Sequence, residues 1–190
     1  MSEPSITLRV VDLFAEPAFT ELVDSILHDR DRRRIGELCF GPPTAAPAKS
    51  GAHQVRVGAF AGETLVGWSH AWLQPAGVLY AANSGVVATW RRRGIYTQLV
   101  EAVEQEARKL GCLRVESHHR AANHAVLIAK MTAGYTIVGT EYTAEMGLLV
   151  KLCKYLDERR HAVFQARAGI LEDAVRLFGG QVRPRQEPGA

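Results

Sequence analysis

The sequence predicts an α/β fold, and three observations carry that reading. Strand-like runs at 54–60, 64–73 and 78–87 are punctuated by Gly62 and by Pro75-Ala76-Gly77. The last of these runs feeds a strongly helical segment, 95–110, across a basic joint, Thr89-Trp90-Arg91-Arg92-Arg93-Gly94. A further strand, 112–118, is followed by a short helix that opens at Asn123 and is closed by Gly134.

Taken in order, 6–11 reads as a first strand. Pro17 suits the first turn of a helix in which Phe19, Leu22, Val23, Ile26 and Leu27 share one face. The mixed charge run 29–34 reads as a solvated helix end, and its interleaved aspartates argue against a nucleic-acid role. Residues 41–52 hold three prolines and read as a mobile loop. In the run 64–73, Trp68, His70 and Trp72 share a face, as core or sheet cover. Leu110-Gly111 is a good helix stop. In 112–118, Leu113, Val115 and Ser117 take one face, and Arg114, Glu116 and His118 the other. Runs 136–140 and 147–155 read as a closing hairpin. Ile170, Leu171, Ala174, Val175 and Phe178 then recur at helical spacing, with Gly179-Gly180 as the stop. This amphipathic helix could cover the core, line a substrate site or pack against a second subunit in a homodimer. The tail 182–190 reads as disordered. The expected division is a domain over 1–156, an extension over 157–180 and a tail over 181–190.

Composition narrows the class. The chain has 190 residues, 47% hydrophobic and 23% charged, which suits one globular domain and excludes a disordered one. A net charge of +3 helps attract an anion but makes no case for nucleic acid. Cys39, Cys112 and Cys153 share no short spacing, so neither a disulfide framework nor a metal site is expected, in keeping with a reducing cytoplasm. The N-terminus shows no secretory pattern, and no run is long enough to span a bilayer.

The joint before the second long helix carries the chemistry. A helix N-terminus leaves backbone N–H groups unpaired and holds partial positive charge, so it favours an anion. Gly94 removes a side chain that would keep a phosphate from the backbone, and Arg91, Arg92 and Arg93 surround the pocket with positive charge. There is neither a P-loop lysine motif nor a Gly-x-Gly-x-x-Gly after a strand. A solvated basic turn is the other reading of these residues.

At Arg91-x-x-Gly94-x-Tyr96 the chain resembles the GNAT family of N-acetyltransferases, whose pyrophosphate signature is Arg/Gln-x-x-Gly-x-Gly/Ala; Tyr96 stands in place of the last small residue. Asn123 and Gly134-Tyr135 fall at the family's matching offsets further on. The resemblance covers roughly 6–155. It implies a mixed, mostly antiparallel sheet, splayed between its fourth and fifth strands and flanked by helices. It implies acetyl-CoA as co-substrate. The pyrophosphate would lie on the amides of Arg93, Gly94, Ile95, Tyr96 and Thr97, the pantetheine arm on Val86 and Val87, and Asn123 beside it. It also implies direct attack of an amine on the thioester. Many members carry a tyrosine seven residues after the asparagine to protonate the leaving thiolate; here that position is Lys130. Lys130 is either a desolvated acid or an exposed lysine on a short helix. Glu116 and His118 are the candidate bases, with a merely exposed strand face as the other reading. The expectation is an acetyltransferase acting on a small amine. The alternative is a catalytically weak acyl-CoA-binding sensor or scaffold, and a basic nucleic-acid-binding domain is a more distant third.

Overall fold

The computed structural model describes residues 5–41, 52–144 and 146–179. Seven strands form one sheet in the order β1-β2-β3-β4-β5-β7-β6. They are β1 (Ile6–Val10), β2 (Gln54–Ala61), β3 (Thr64–Gln74), β4 (Val78–Val86), β5 (Arg114–Arg120), β6 (Thr136–Thr143) and β7 (Gly147–Tyr155). Only β4 and β5 pair in parallel, joined by a crossover through α3 (Ile95–Lys109). All other neighbours are antiparallel. The sheet is therefore mixed and mostly antiparallel, as expected.

The parallel pair is short. Val78, Leu79 and Tyr80 face Arg114, Val115 and Glu116, and no pairing follows, although β4 runs on to Val86 and β5 to Arg120. A bulge in the β3–β4 register, between His70 and Ala71, lies just beyond. Bulges re-aim a strand and gather near functional sites. The two strands thus part into a cleft.

Helix α3 covers one face of the sheet. Its stripe of Ile95, Leu99, Val100, Val103 and Ala107 is buried against Val57 and Ala59 of β2, Leu79 of β4, Val115 of β5 and Leu152 of β7. Fully burying side chains of this size is worth roughly 1.5–3 kcal/mol each. Gly67 on β3 lies beneath α3, where an added Cβ would come within 3.3 Å of Ile95 and Leu99. The other face is closed over β3 by α1 (Ala18–Leu27): Phe14 stacks on Phe19, whose ring meets buried Trp68 edge-on at 5.6 Å. Trp68 in turn lies against Gly85, and its indole N–H donates to Asn83 Oδ1 at 2.9 Å.

Several expectations are corrected. The charge run 29–34 is not the end of a helix but the start of α2 (Asp29–Phe40), split from α1 where His28 turns left-handed at φ 54°. The expected loop falls almost wholly outside the described residues. The fifth strand begins at Arg114, because the amides of Cys112 and Leu113 bond to Ala107 and Gly77 instead. The C-terminal segment holds two helices, α5 (Glu158–Arg167) and α6 (Glu172–Phe178), where the spacing suggests one. Ile170 and Leu171 lie before α6 and are exposed. The expected tail lies outside the described residues. The strand faces of β5 are as expected: Val115 and Ser117 are buried, while Arg114, Glu116 and His118 turn the other way.

Candidate active site

The end of β4 and the start of α3 flank the candidate anion cradle. Gly94 is the N-cap of α3 at φ 74°, a left-handed conformation that favours glycine. The first intrahelical bond is from the Gln98 N–H to the Gly94 carbonyl, at 3.1 Å. The amides of Ile95, Tyr96 and Thr97 therefore have no intrahelical acceptor. No side chain caps this end, and no acidic residue sits in its first turn. A Cβ on Gly94 would meet only Gln98 Nε2, at 3.9 Å, so the space above the glycine is open. Arg92 also adopts a left-handed φ of 61°, and Arg93 lies over the Trp90 ring.

The strand that feeds this cradle presents a backbone edge. Val86 is paired directly with Gly67, while the hydrogen bond at this point runs from the Val87 N–H to the Val66 carbonyl. Val86 is thus at a non-hydrogen-bonded position, and its own N–H and C=O turn to the opposite edge, toward the cleft. Its carbonyl accepts from Arg91 Nε at 2.9 Å, and its N–H is the group left turned toward the cleft. Arg91 accordingly folds back on its own strand, and the Val87 amide is used inside the sheet.

Deeper in, α3, α4 (His124–Thr132), β5 and β7 enclose a polar cluster. Lys130 is 3% exposed, so it is not a surface lysine. Its Nζ lies 4.0 Å from the centre of the Tyr135 ring and makes no hydrogen bond to a described residue. Burial brings its pKa down to about 8, partly opposed by Glu104 and reinforced by Lys154. Glu104 receives two hydrogen bonds from Lys154 Nζ, at 3.0 and 2.8 Å. His119 Nε2 pairs with the hydroxyl of buried Ser117 at 3.0 Å; burial first, and then Lys130, bring its pKa down to about 4. Tyr96 has a buried hydroxyl with no partner among the described residues, and burial pushes its pKa well up.

Across the sheet lie the two base candidates. Glu116 is held by Arg114 Nε at 2.6 Å. His118 meets Tyr80 edge-on at 5.1 Å, at the end of a ring row that continues through Trp72 to His70. Burial, and then Lys151, lower the His118 pKa against the opposing pull of Glu141 and Glu116, which favours the neutral imidazole. Both residues are on the face opposite α3, so the structure does not bring them together with Lys130. Asn123 is the exposed N-cap residue of α4, and its side chain makes no capping bond.

Residues 20–128, more than half the chain, match the family model described as "Acetyltransferase (GNAT) family". The chain belongs to the GNAT acetyltransferase family. No curated protein sequence matches it. Among solved structures it is similar to an IAA acetyltransferase from Bacillus cereus, at 13% identity and TM-score 0.61, covering 80% of this chain and 99% of that one. A Bacillus subtilis acetyltransferase in complex with CoA gives 15% identity and TM-score 0.59, covering 78% and 97%. The ribosomal-protein-S18-alanine N-acetyltransferase of Escherichia coli gives 14% identity and TM-score 0.55, covering 80% and 95%. At these identities the likeness is one of fold.

The GNAT family match stops at residue 128, two residues short of Lys130. Glu104, Ser117, His119 and Lys154 escape a reading of motifs, since none belongs to one. A signal was present for Glu104: it is a charged residue on the stripe that also carries Val100, Val103 and Ala107. Nothing local marks Lys154, because its carboxylate partner is 50 residues away.

Among the described residues there is no cluster of three metal-binding side chains, and no helix long and apolar enough to cross a membrane.

Proposed function

We propose that this GNAT protein transfers the acetyl group of acetyl-CoA to the primary amine of a small acceptor. One observation carries this reading: a helix N-terminus with three amides lacking intrahelical acceptors, opened by left-handed Gly94, stands where β4 has parted from β5. A pyrophosphate fits the amides of Ile95 to Thr97 and the open space above Gly94. A pantetheine amide fits the cleft-facing N–H of Val86, as an added strand would. The orphaned Tyr96 hydroxyl supplies one further polar contact. Arg92 and Arg93 add positive charge beside the phosphates, and Asn123 lies at the head of the opposing helix.

Acetyl-CoA supplies the thioester; the chain's own residues supply position and protons. Lys130, desolvated on the Tyr135 ring, is the acid that meets the departing thiolate. A pKa of about 8 lets it be protonated near neutrality yet release its proton readily. The attacking amine must be neutral, and His118, kept unprotonated by burial, is the better base of the two, since Arg114 occupies Glu116. The same occupation of Glu116 favours a second reading, a weakly active acyl-CoA-binding sensor. The three cysteines are free, which suits a cytoplasmic setting.

Two measurements test this. Gly94→Glu places a carboxylate at the cradle, and calorimetry should show acetyl-CoA affinity lowered at least tenfold; parental affinity would place the cofactor elsewhere. Lys130→Ala should lower turnover by ~10²–10⁴-fold on an amine found by panel screening, with cofactor affinity nearly intact. Parental turnover would remove Lys130 from the mechanism. Cofactor binding without turnover of any amine in a broad panel would support the sensor.

A further inference from the structure

Buried Glu104, buried Lys130 and partly buried Lys154 come together beside the Tyr135 ring. Lys130 comes from α4, Lys154 from β7 and Glu104 from α3, and both lysines face the Tyr135 ring, at 4.0 and 5.8 Å from its centre. Only one of them has the carboxylate. Lys154 Nζ engages both oxygens of Glu104, and Lys130 is left with an aromatic face and no hydrogen bond among the described residues. We infer that Glu104 and Lys154 are positioning residues: by taking the carboxylate, Lys154 keeps the Lys130 ammonium from being locked into an ion pair. This rests on the acid role proposed for Lys130.

The physical argument is one of competition. A buried ammonium held by a carboxylate is stabilised as a cation and gives up its proton reluctantly. One held only by an aromatic face keeps a weaker partner. A carboxylate engaged by a second cation still attracts Lys130 through space, and that second cation repels it. The charged and titratable groups around Lys130 act in those directions. Glu104 raises its proton affinity, Lys154 lowers it, and His119 on β5 stays neutral. His161 on α5 lies beside Lys154 rather than Lys130: a Cβ added at Gly134 would meet both its Nε2 and the Lys154 Cε at 3.6 Å. Burial alone would also lower the Lys130 pKa, so the pair's role lies in its arrangement, and only variants of the pair report on it.

The experiment follows the titration of Lys130 by NMR in the full chain, with 13Cε-labelled lysine and the signal assigned by its loss in Lys130→Arg. Lys154→Met frees Glu104 for Lys130, and the Lys130 pKa should rise by about one unit or more. Glu104→Gln removes the attraction and leaves the repulsion, so the pKa should fall. A merely structural tie between α3 and β7 predicts a lower melting temperature in both variants and, in Lys154→Met, a Lys130 pKa raised by well under one unit, since only through-space repulsion is then lost. A Lys130 titration unchanged in both folded variants, or moved the same way in both, overturns the inference. Should Lys154→Met not fold, Glu104→Gln decides alone: an unchanged or raised value overturns it. The outcome is separable from that for the acid role. If the titrations shift as expected while Lys130→Ala keeps parental turnover, the positioning stands and the acid assignment falls.

Discussion

At the scale of single residues, Lys130 concentrates the cost of the site. Burial disfavours its charged form, so its folded pKa of about 8 lies below the ordinary 10.5. Between those two values the unfolded chain binds more protons, and the contribution of Lys130 to stability rises with pH through that window. Below pH 8 the penalty is fully present, on the order of 3 kcal/mol. Lys130→Met keeps the volume and sheds the charge, so it should raise the melting temperature at pH 7 by several degrees, with the gain shrinking above pH 8. A melting temperature at or below the parent's at pH 7 would show that the ring contact outweighs desolvation. The sequence presents both possibilities for this lysine, because the short helix α4 has little amphipathic pattern to say which way position 130 points. The glycine at position 94 was legible for the opposite reason: its role is set by the backbone of its own turn.

At the scale of elements, the strands were readable from alternation and turns, and α3 from its stripe and its Leu110-Gly111 stop. Helix α5 was not. Its ten residues include Ala162 and Gln165 as the only two that are buried, too little apolar signal for a 3.6-residue period to emerge. What defines it is a local polar device, the Asp157 side chain accepting from the Arg160 amide at 2.9 Å. Asp157→Ala should therefore cost about 1 kcal/mol, read as a lowered chemical-denaturation midpoint. An unchanged midpoint would mean that packing on β7 and α6 defines this helix without its cap. Placing β7 rather than β6 beside β5 was likewise beyond local reading, since the choice depends on pairing across the chain: Val115 with Lys154, Ser117 with Leu152.

At the scale of the whole molecule, the sheet is two antiparallel blocks, β1 to β4 and β5-β7-β6, joined by three register positions of parallel strand. That narrow join has a consequence for how the chain folds. Within the first block β2, β3 and β4 follow one another as hairpins, and β6 and β7 form one in the second. These contacts close short loops, whereas Leu79 and Val115 can meet only after the whole α3 crossover has been confined. The join should therefore form late on the folding route. Leu79→Ala, at a fully buried position on the join, should destabilise by ~2–5 kcal/mol and act chiefly by speeding unfolding. Val57→Ala, inside the β2–β3 hairpin, should slow folding. Equal slowing of folding by both would mean that the two blocks nucleate as one. If the join is late, the gap proposed to take the cofactor is also the last place the chain commits, and an unfinished folding step has become the entrance to the candidate site.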